Sequence, residues 1–282
     1  MYGDYPYSLF LNTAYLFVNS LYTYSSWVYK GAPSIQLLLQ SMFKIVFVTC
    51  ICKMKTGTVP KLILYDKYLI MSAILFTCSS FCTFKIWNFY DMTPYVYSMG
   101  VAPNLLFTDV LQNGRNFHLL SLLSLLAWRF VPTGTLPLFL TKCILSSLAS
   151  YMSSLGLEFK QSSGFEKRSS KVISFSLISA VIPMFWLSTT KLPNNQFLEY
   201  VHAMLGAANG LFTAFLLSYN GALVKVSLAS IKDILFLWLQ HEYLTFWSIV
   251  SMVCQCAVAS VVSMRRDTSN PKPLEIEPEE KV

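Results

Sequence analysis

Long apolar stretches recur from one end of the chain to the other, and the polar breaks between them are too short to hold a domain. Ten can be marked, at residues 7–29, 34–54, 67–87, 95–112, 117–132, 135–157, 171–190, 197–218, 223–240 and 244–264. Most have the ~17–25 residues that cross a ~30 Å hydrocarbon core as helix. Several breaks carry turn chemistry: Gly31-Ala32-Pro33, Asn113-Gly114, Pro132-Thr133-Gly134 and Asn220-Gly221. A backbone in lipid must satisfy its own hydrogen bonds, which leaves helices or a closed barrel. Barrel strands alternate apolar and polar residues, whereas Leu119–Trp128 and Phe246–Val262 are apolar on all sides. The pattern therefore predicts an all-α integral membrane domain over residues 1–264. The first stretch is too long for the apolar region of a cleavable signal and is expected to insert and stay. Residues 265–282, polar and ending in Glu275, Glu277, Glu279 and Glu280, are expected to form a disordered tail.

Composition agrees, since 54% of the residues are hydrophobic and only 12% charged. The formal charge of +7 invites a nucleic-acid reading. The lysines and arginines nevertheless sit in the breaks rather than on one solvated face, so nucleic acid is excluded as a partner. They report orientation instead. Threaded ten times, one side of the membrane receives Lys53, Lys55, Lys61, Lys67, Arg115, Lys160, Lys167, Arg168, Lys171, Arg265 and Arg266. The other receives little beyond Lys30, Lys85, Arg129 and Lys191. Basic residues stay cytosolic, so both termini are predicted in the cytosol, and an odd number of spans would put Arg265-Arg266 on the wrong side.

A weak internal repeat runs in the same direction. Asp109-Val110-Leu111-Gln112, a short turn and the stretch from Leu119 parallel Leu237-Trp238-Leu239-Gln240, a turn and the stretch from Trp247, with Gln112 on Gln240. The matched stretches lie five apart. Five is odd, so the halves (about 7–132 and 135–264) would have opposite topology, an inverted repeat of the kind found in transporters.

Ionisable groups within apolar stretches are costly and point to function. They are Lys44, Asp109, Lys142, Glu199, His202, Lys225, Lys232 and Asp233. Asp109, Lys171 and Glu199 lie near stretch ends and are expected to snorkel, and the adjacent Lys232 and Asp233 diverge by ~100° on a helix. Lys44 shares a face with Gln40 and Ser41, and Lys225 has Ser218-Tyr219-Asn220 before it and Ser227 and Ser230 after it. A lysine among hydroxyls and amides suits an anionic solute. Tyr95 and Tyr219 are candidates for contact with a base. The small residues Gly206, Ala207, Ala208, Gly210 and Ala214 suggest close helix packing.

Catalysis has no foundation in the sequence. His118, His202 and His241 form no nucleophile–base or H-E-x-x-H arrangement, and no Gly-rich phosphate loop is present. The cysteine pairs Cys50/Cys52 and Cys254/Cys256 lack further ligands. Neither enzyme activity, nor a metal, nor an organic cofactor is expected.

Taken together, these residues resemble a family. Ser34–Lys44 on the second stretch, Asp91, Tyr95, Pro103 and Gly114-Arg115 around the fourth, and Ser153-Ser154 with Glu158 at the exit of the sixth are similar to segments of the nucleotide-sugar transporters of the CMP-sialic acid/UDP-galactose type. So are Asn209-Gly210-Leu211, Tyr219-Asn220 and Lys225. These transporters belong to the drug/metabolite transporter superfamily. The chain departs from the family where Ser41 replaces a glutamate and Val101 or Ala102 a phosphate-holding lysine. It departs again at Ser218, and at Val226-Ser227 in place of Gly-Phe. The resemblance implies a ten-helix antiporter that exchanges a nucleotide sugar for a nucleoside monophosphate across the Golgi or endoplasmic reticulum membrane. In that reading Lys225 and Lys44 neutralise phosphate, Tyr95 and Tyr219 contact base or ribose, and Asn209 and Gly210 shape the cavity. The partners expected are the bilayer and a nucleotide sugar or related anionic metabolite, with a homodimer as an open alternative. Carriage of another metabolite on the same fold, or a transport-inactive relative acting as a membrane scaffold, are the competing functions.

Overall fold

Helix α2 (Pro33–Thr56) shows how the chain partitions its residues. Proline at its start and Gly57 beyond its end (φ 72°, its N–H on the Lys53 carbonyl) fix its limits. It buries Gln36, Gln40, Ser41 and Lys44 and exposes Met42, Val46, Ile51 and Met54. A helix in a water-soluble protein does the reverse. Here the polar stripe faces inward and the apolar one outward, an arrangement stable when hydrocarbon is the solvent. Helix α3 (Lys67–Tyr90) repeats it, with Ser72, Thr77 and Ser79 buried and Met71 and Ile74 exposed.

The structure is a computed structural model. It describes residues 5–29, 32–63, 66–90, 92–157, 165–187 and 196–239, with short helical pieces at 245–247, 249–250, 252–254, 256–257 and 261. Among these the fold is all-helical, without strands. Among the described residues, four segments are long and apolar enough to cross a membrane: Pro33–Thr56, Lys67–Asn88, Thr133–Gly156 and Phe197–Leu217. The remaining elements are α1 (Tyr5–Val28), α4 (Pro94–Val101), α5 (Asn104–Asn113), α6 (Leu136–Leu157), α7 (Phe165–Leu187) and α8 (Gln196–Leu239). The predicted tail, 265–282, lies outside the described residues.

Four stretches fold differently from expectation. The fourth divides into α4 and α5 at Ala102-Pro103, because proline has no N–H to continue the helix and restrains the residue before it. The fifth is a 3-10 helix, Leu119–Phe130. Its twelve residues rise by ~2.0 Å each rather than ~1.5 Å, so it reaches ~24 Å instead of ~18 Å. The eighth and ninth form one helical element of 44 residues, in which Asn220-Gly221 is itself helical. This element cannot be straight. Gly206 and Lys232 line the same cavity, although 26 residues of straight helix would separate them by ~39 Å. The Leu223 N–H donates to Gln112 Oε1 (3.1 Å). We conclude that α8 bends between Gly206 and Lys232, so that its two arms face one space.

Helix α1 packs on α8, α2 on α7 and α8, α3 on α6 and α7, and α5 on α6 and α8. Where α4 meets α6, a Cβ at Gly100 would overlap the Phe139 ring, so only glycine permits that approach. The Gly100 carbonyl also accepts from Trp128 Nε1 (3.0 Å), tying in the 3-10 helix. Asp109 and Glu199, expected to snorkel, are buried instead. Asp109 accepts from the His118 N–H (2.8 Å) and Asn113 Nδ2 (2.6 Å) and pairs with the His118 ring at 3.0 Å. It closes the end of α5 rather than reaching for water.

Candidate functional site

The helices enclose a cavity of about 210 Å³, to which every α-helix contributes wall residues. Four of them are lysines: Lys44 on α2, Lys142 on α6, and Lys225 and Lys232 on the second arm of α8. Lys44, Lys142 and Lys232 are buried and Lys225 is partly so. Among the described residues no carboxylate lines the cavity.

Three of the ammonium groups are held by contacts that leave the charge unneutralised. Lys44 Nζ lies 5.1 Å from the centre of the Phe76 ring and Lys142 Nζ 5.7 Å from that of Tyr97, within the range of cation–π attraction. Lys225 Nζ donates to Ser150 Oγ at 3.2 Å. Like charges focused in a low-dielectric cleft create a strong positive potential, which attracts an anion. Hydroxyls of Ser79, Ser146, Ser153 and Thr213 also face the space and could donate to ligand oxygens. Asn209 Oδ1 is buried without a hydrogen-bond partner on the same wall.

Two glycines make room for this constellation. A Cβ on Gly210 would overlap the end of the Lys44 side chain, and one on Gly206 would overlap the Gln40 amide. Gln40 and Lys44 are four residues apart, as are Gly206 and Gly210, so the long side chains of α2 cross the bare face of α8 in register. Gln40 Nε2 donates to the Tyr22 hydroxyl (3.2 Å), which links α1 to the same layer. The small residues at 206 and 210 therefore give passage to polar side chains.

Of the residues singled out from the sequence, Lys44, Lys225, Asn209 and Gly210 come together on the wall. Tyr95 does not join them. It is fully buried, edge-on to Phe130 at 6.2 Å between ring centres. Tyr97 lines the cavity in its place, because residues two apart on a helix point ~200° apart. The side chain of Tyr219 lies outside the described residues. Lys142 and Lys232, ionisable residues within apolar stretches that the sequence does not mark out as ligand contacts, also line the cavity. For Lys142 the sequence carries a signal, since it stands seven residues, about two turns, inside the sixth stretch.

No protein-family model matches the chain, and no curated protein does. Its fold is similar to that in a crystal structure identified no further than as a protein, with 11% identity and a TM-score of 0.57, covering 94% of this chain and 99% of the other. At that identity the likeness shows the fold alone, and it extends over nearly the whole chain.

Proposed function

We propose that this protein is a membrane transporter that moves an anionic solute by alternating access, and that the solute is a nucleotide sugar exchanged for a nucleoside monophosphate. The observation that carries the reading is the lysine-lined cavity. Lys44, Lys142, Lys225 and Lys232 line one cavity with no carboxylate among the described residues, an arrangement that repels itself until an anion enters. Lys44 and Lys225 act as point charges on phosphate oxygens, Asn209 and Gly210 shape the space, and Tyr97 offers a ring for stacking. Assignment to nucleotide sugars rather than other anions rests on the resemblance in sequence, as does residence in the Golgi or endoplasmic reticulum. No cofactor takes part.

Alternating access is supported by how the helices pack. If the second half repeats the first, the first, second and third stretches exchange with the sixth, seventh and eighth. The pair α3·α6 then becomes α1·α8, α2·α7 becomes itself, and α3·α7 becomes α2·α8. All of these pairs are in contact. In the same register Lys225 corresponds to Tyr97, and both line the cavity. Such a layout lets one half rock against the other around a central site.

The test is a thermal-shift panel on the purified protein with nucleotide sugars, nucleoside monophosphates, inorganic phosphate and uncharged nucleosides. A ligand at a hundred times its Kd stabilises by ~2.7 kcal/mol, so selective ligands raise the melting temperature. Hits are then followed by exchange in proteoliposomes. Stabilisation by anions lacking a nucleotide would support carriage of another metabolite. Folded protein that responds to none of them would refute the carrier reading and favour a scaffold.

A further inference from the structure

The seam between α1 and α8 at one end of the cavity holds an acid and a base whose hydrogen bonding is incomplete. Glu199 and His202 lie three residues apart on α8, on one face, and their side chains are buried at 4% and 1% exposure. The His202 ring stacks on Tyr22 (5.0 Å between centres, 15°), leans on Tyr29 (5.6 Å) and meets the edge of Phe84 (6.5 Å). Its Nδ1 is 2.8 Å from Ser25 Oγ. The Ser25 hydroxyl already gives its one proton to the Tyr22 carbonyl (2.8 Å). With that proton on the carbonyl, the ring is assigned its proton at Nδ1, where it donates to Ser25 Oγ, and Nε2 is left as an acceptor. Neither Nε2 nor Glu199 Oε1 has a hydrogen-bond partner. Tyr29 and Gln36 lie within reach of the Glu199 carboxyl without meeting the geometry of a hydrogen bond, and the Gln36 Oε1 acceptor is also unfilled. Gln36 Nε2 is already committed to the Glu199 backbone carbonyl (3.3 Å).

Three buried acceptors on facing elements thus stand unfilled beside one unpartnered donor, the Tyr29 hydroxyl, so donors remain too few and a proton would supply another. We propose that Glu199, assisted by His202 and Gln36, is a proton-binding site that latches the α1–α8 seam, so that closing the seam takes up one proton from water and opening it returns that proton. The carboxylate becomes a carboxylic acid, whose O–H turns to Gln36 Oε1 or His202 Nε2. Of the described neighbouring groups, only the Tyr29 hydroxyl is an unpartnered donor, and it can fill no more than one of the three acceptors. Helix α1 presents Tyr22 and Tyr29, α2 presents Gln36 and Gln40 with Lys44 a further turn away, and α3 presents Phe84, next to an exposed Lys85. On α4, Tyr97 faces Tyr22. Tyr22 stacks on His202 and also lines the cavity, so release of the seam would bare the route to the lysines.

The sign follows from proton counting. Above about pH 6.5, the unperturbed value for histidine, the open seam carries an ionised glutamate and a neutral histidine. Closure then binds one proton, and the open fraction rises ~10-fold per pH unit. Below that pH an exposed His202 also binds a proton, which cancels the dependence. The proposal rests on the moving-halves reading above, but its test uses no solute.

Hydrogen–deuterium exchange of the full chain in nanodiscs, corrected for the intrinsic pH dependence of the chemistry, is followed from pH 5 to 8.5 in peptides from residues 22–36 and 197–210. In the wild type, exchange should rise ~10-fold per unit above pH 6.5 and stay level below it. Glu199→Gln should abolish the rise. His202→Gln should keep it and extend it down to about pH 5. Loss of packing alone would raise exchange at every pH without changing these slopes. A wild-type slope of zero, or a slope that survives Glu199→Gln, overturns the proposal. A response to sodium in place of pH would overturn it in favour of a metal cation. Because no anion is present, silence in the thermal-shift panel would leave this result standing, and failure here would leave the anion site standing.

Discussion

Lys225→Met is the substitution that best separates a ligand-binding lysine from one that merely snorkels. Methionine keeps most of the apolar stem and removes the charge. In the free protein the change has two opposing effects. It deletes the bond to Ser150 Oγ, worth ~1 kcal/mol. It also relieves repulsion from Lys142 and Lys232, both near enough to act on Lys225. For charges on the order of 8 Å apart at an effective dielectric of ~20, that repulsion is ~2 kcal/mol per pair. Partial exposure of Lys225 discounts this to ~1–2 kcal/mol each. The balance is stabilising by ~1–3 kcal/mol, a rise in melting temperature of several degrees at ~2–4 °C per kcal/mol. Binding should move the other way. Loss of a hydrogen bond from a charged donor to phosphate costs ~1.5–3 kcal/mol, or ~10- to 100-fold in affinity. Lys225→Arg should recover only part of this, since a planar fork does not replace a compact ammonium. Melting curves of the purified variants, alone and titrated with nucleoside monophosphates, read both quantities at once. A lower melting temperature with unchanged affinity would refute the argument and identify Lys225 as an interfacial anchor.

Gly210→Ala should leave the protein folded, since alanine favours helix by ~1 kcal/mol, while its Cβ displaces the end of Lys44. We expect a loss of anion affinity comparable to that of Lys44→Met, and binding equal to wild type would show that Lys44 does not contact ligand. Asp109→Ala removes the acceptor for the His118 N–H and Asn113 Nδ2. It should destabilise by ~2–4 kcal/mol from the buried donors left unmatched, read as a lower melting temperature with unchanged ligand selectivity. Deletion from Asp267 onward should leave melting and exchange activity in proteoliposomes intact, because that segment has no apolar face to bury. Tags at Tyr2 and Val282 should both be protease-accessible from the cytosolic side, and protection of either would overturn the predicted threading.

How much of this was legible in the chain differs between fold and site. The helices at the first, second, third, sixth and seventh stretches follow from local sequence: runs of apolar residues, Pro33 opening α2 and Gly57 closing it. Lys44 and Lys225 were legible for the same kind of reason, since a charge inside an apolar run is anomalous whatever surrounds it. The break at Pro103 was also written in the sequence, as a missing N–H.

Other features depend on what a residue meets rather than on what precedes it. Asn220-Gly221 reads as a turn by composition, yet those residues lie within helix α8, residues on both sides of which line the one cavity. Glu199 and Asp109 stand near the ends of apolar stretches, where water is close along the chain, but neighbouring helices cover both. Tyr95 and Tyr97 are alike in sequence and differ by two positions, so helix rotation alone decides that one packs on Phe130 and the other lines the cavity. Apolar periodicity determined that the chain is helical and suited to a membrane, because each helix must satisfy its own backbone there. Only the tertiary structure decided which polar residues share a cavity, because helices from both halves of the chain must meet before four lysines can face one space.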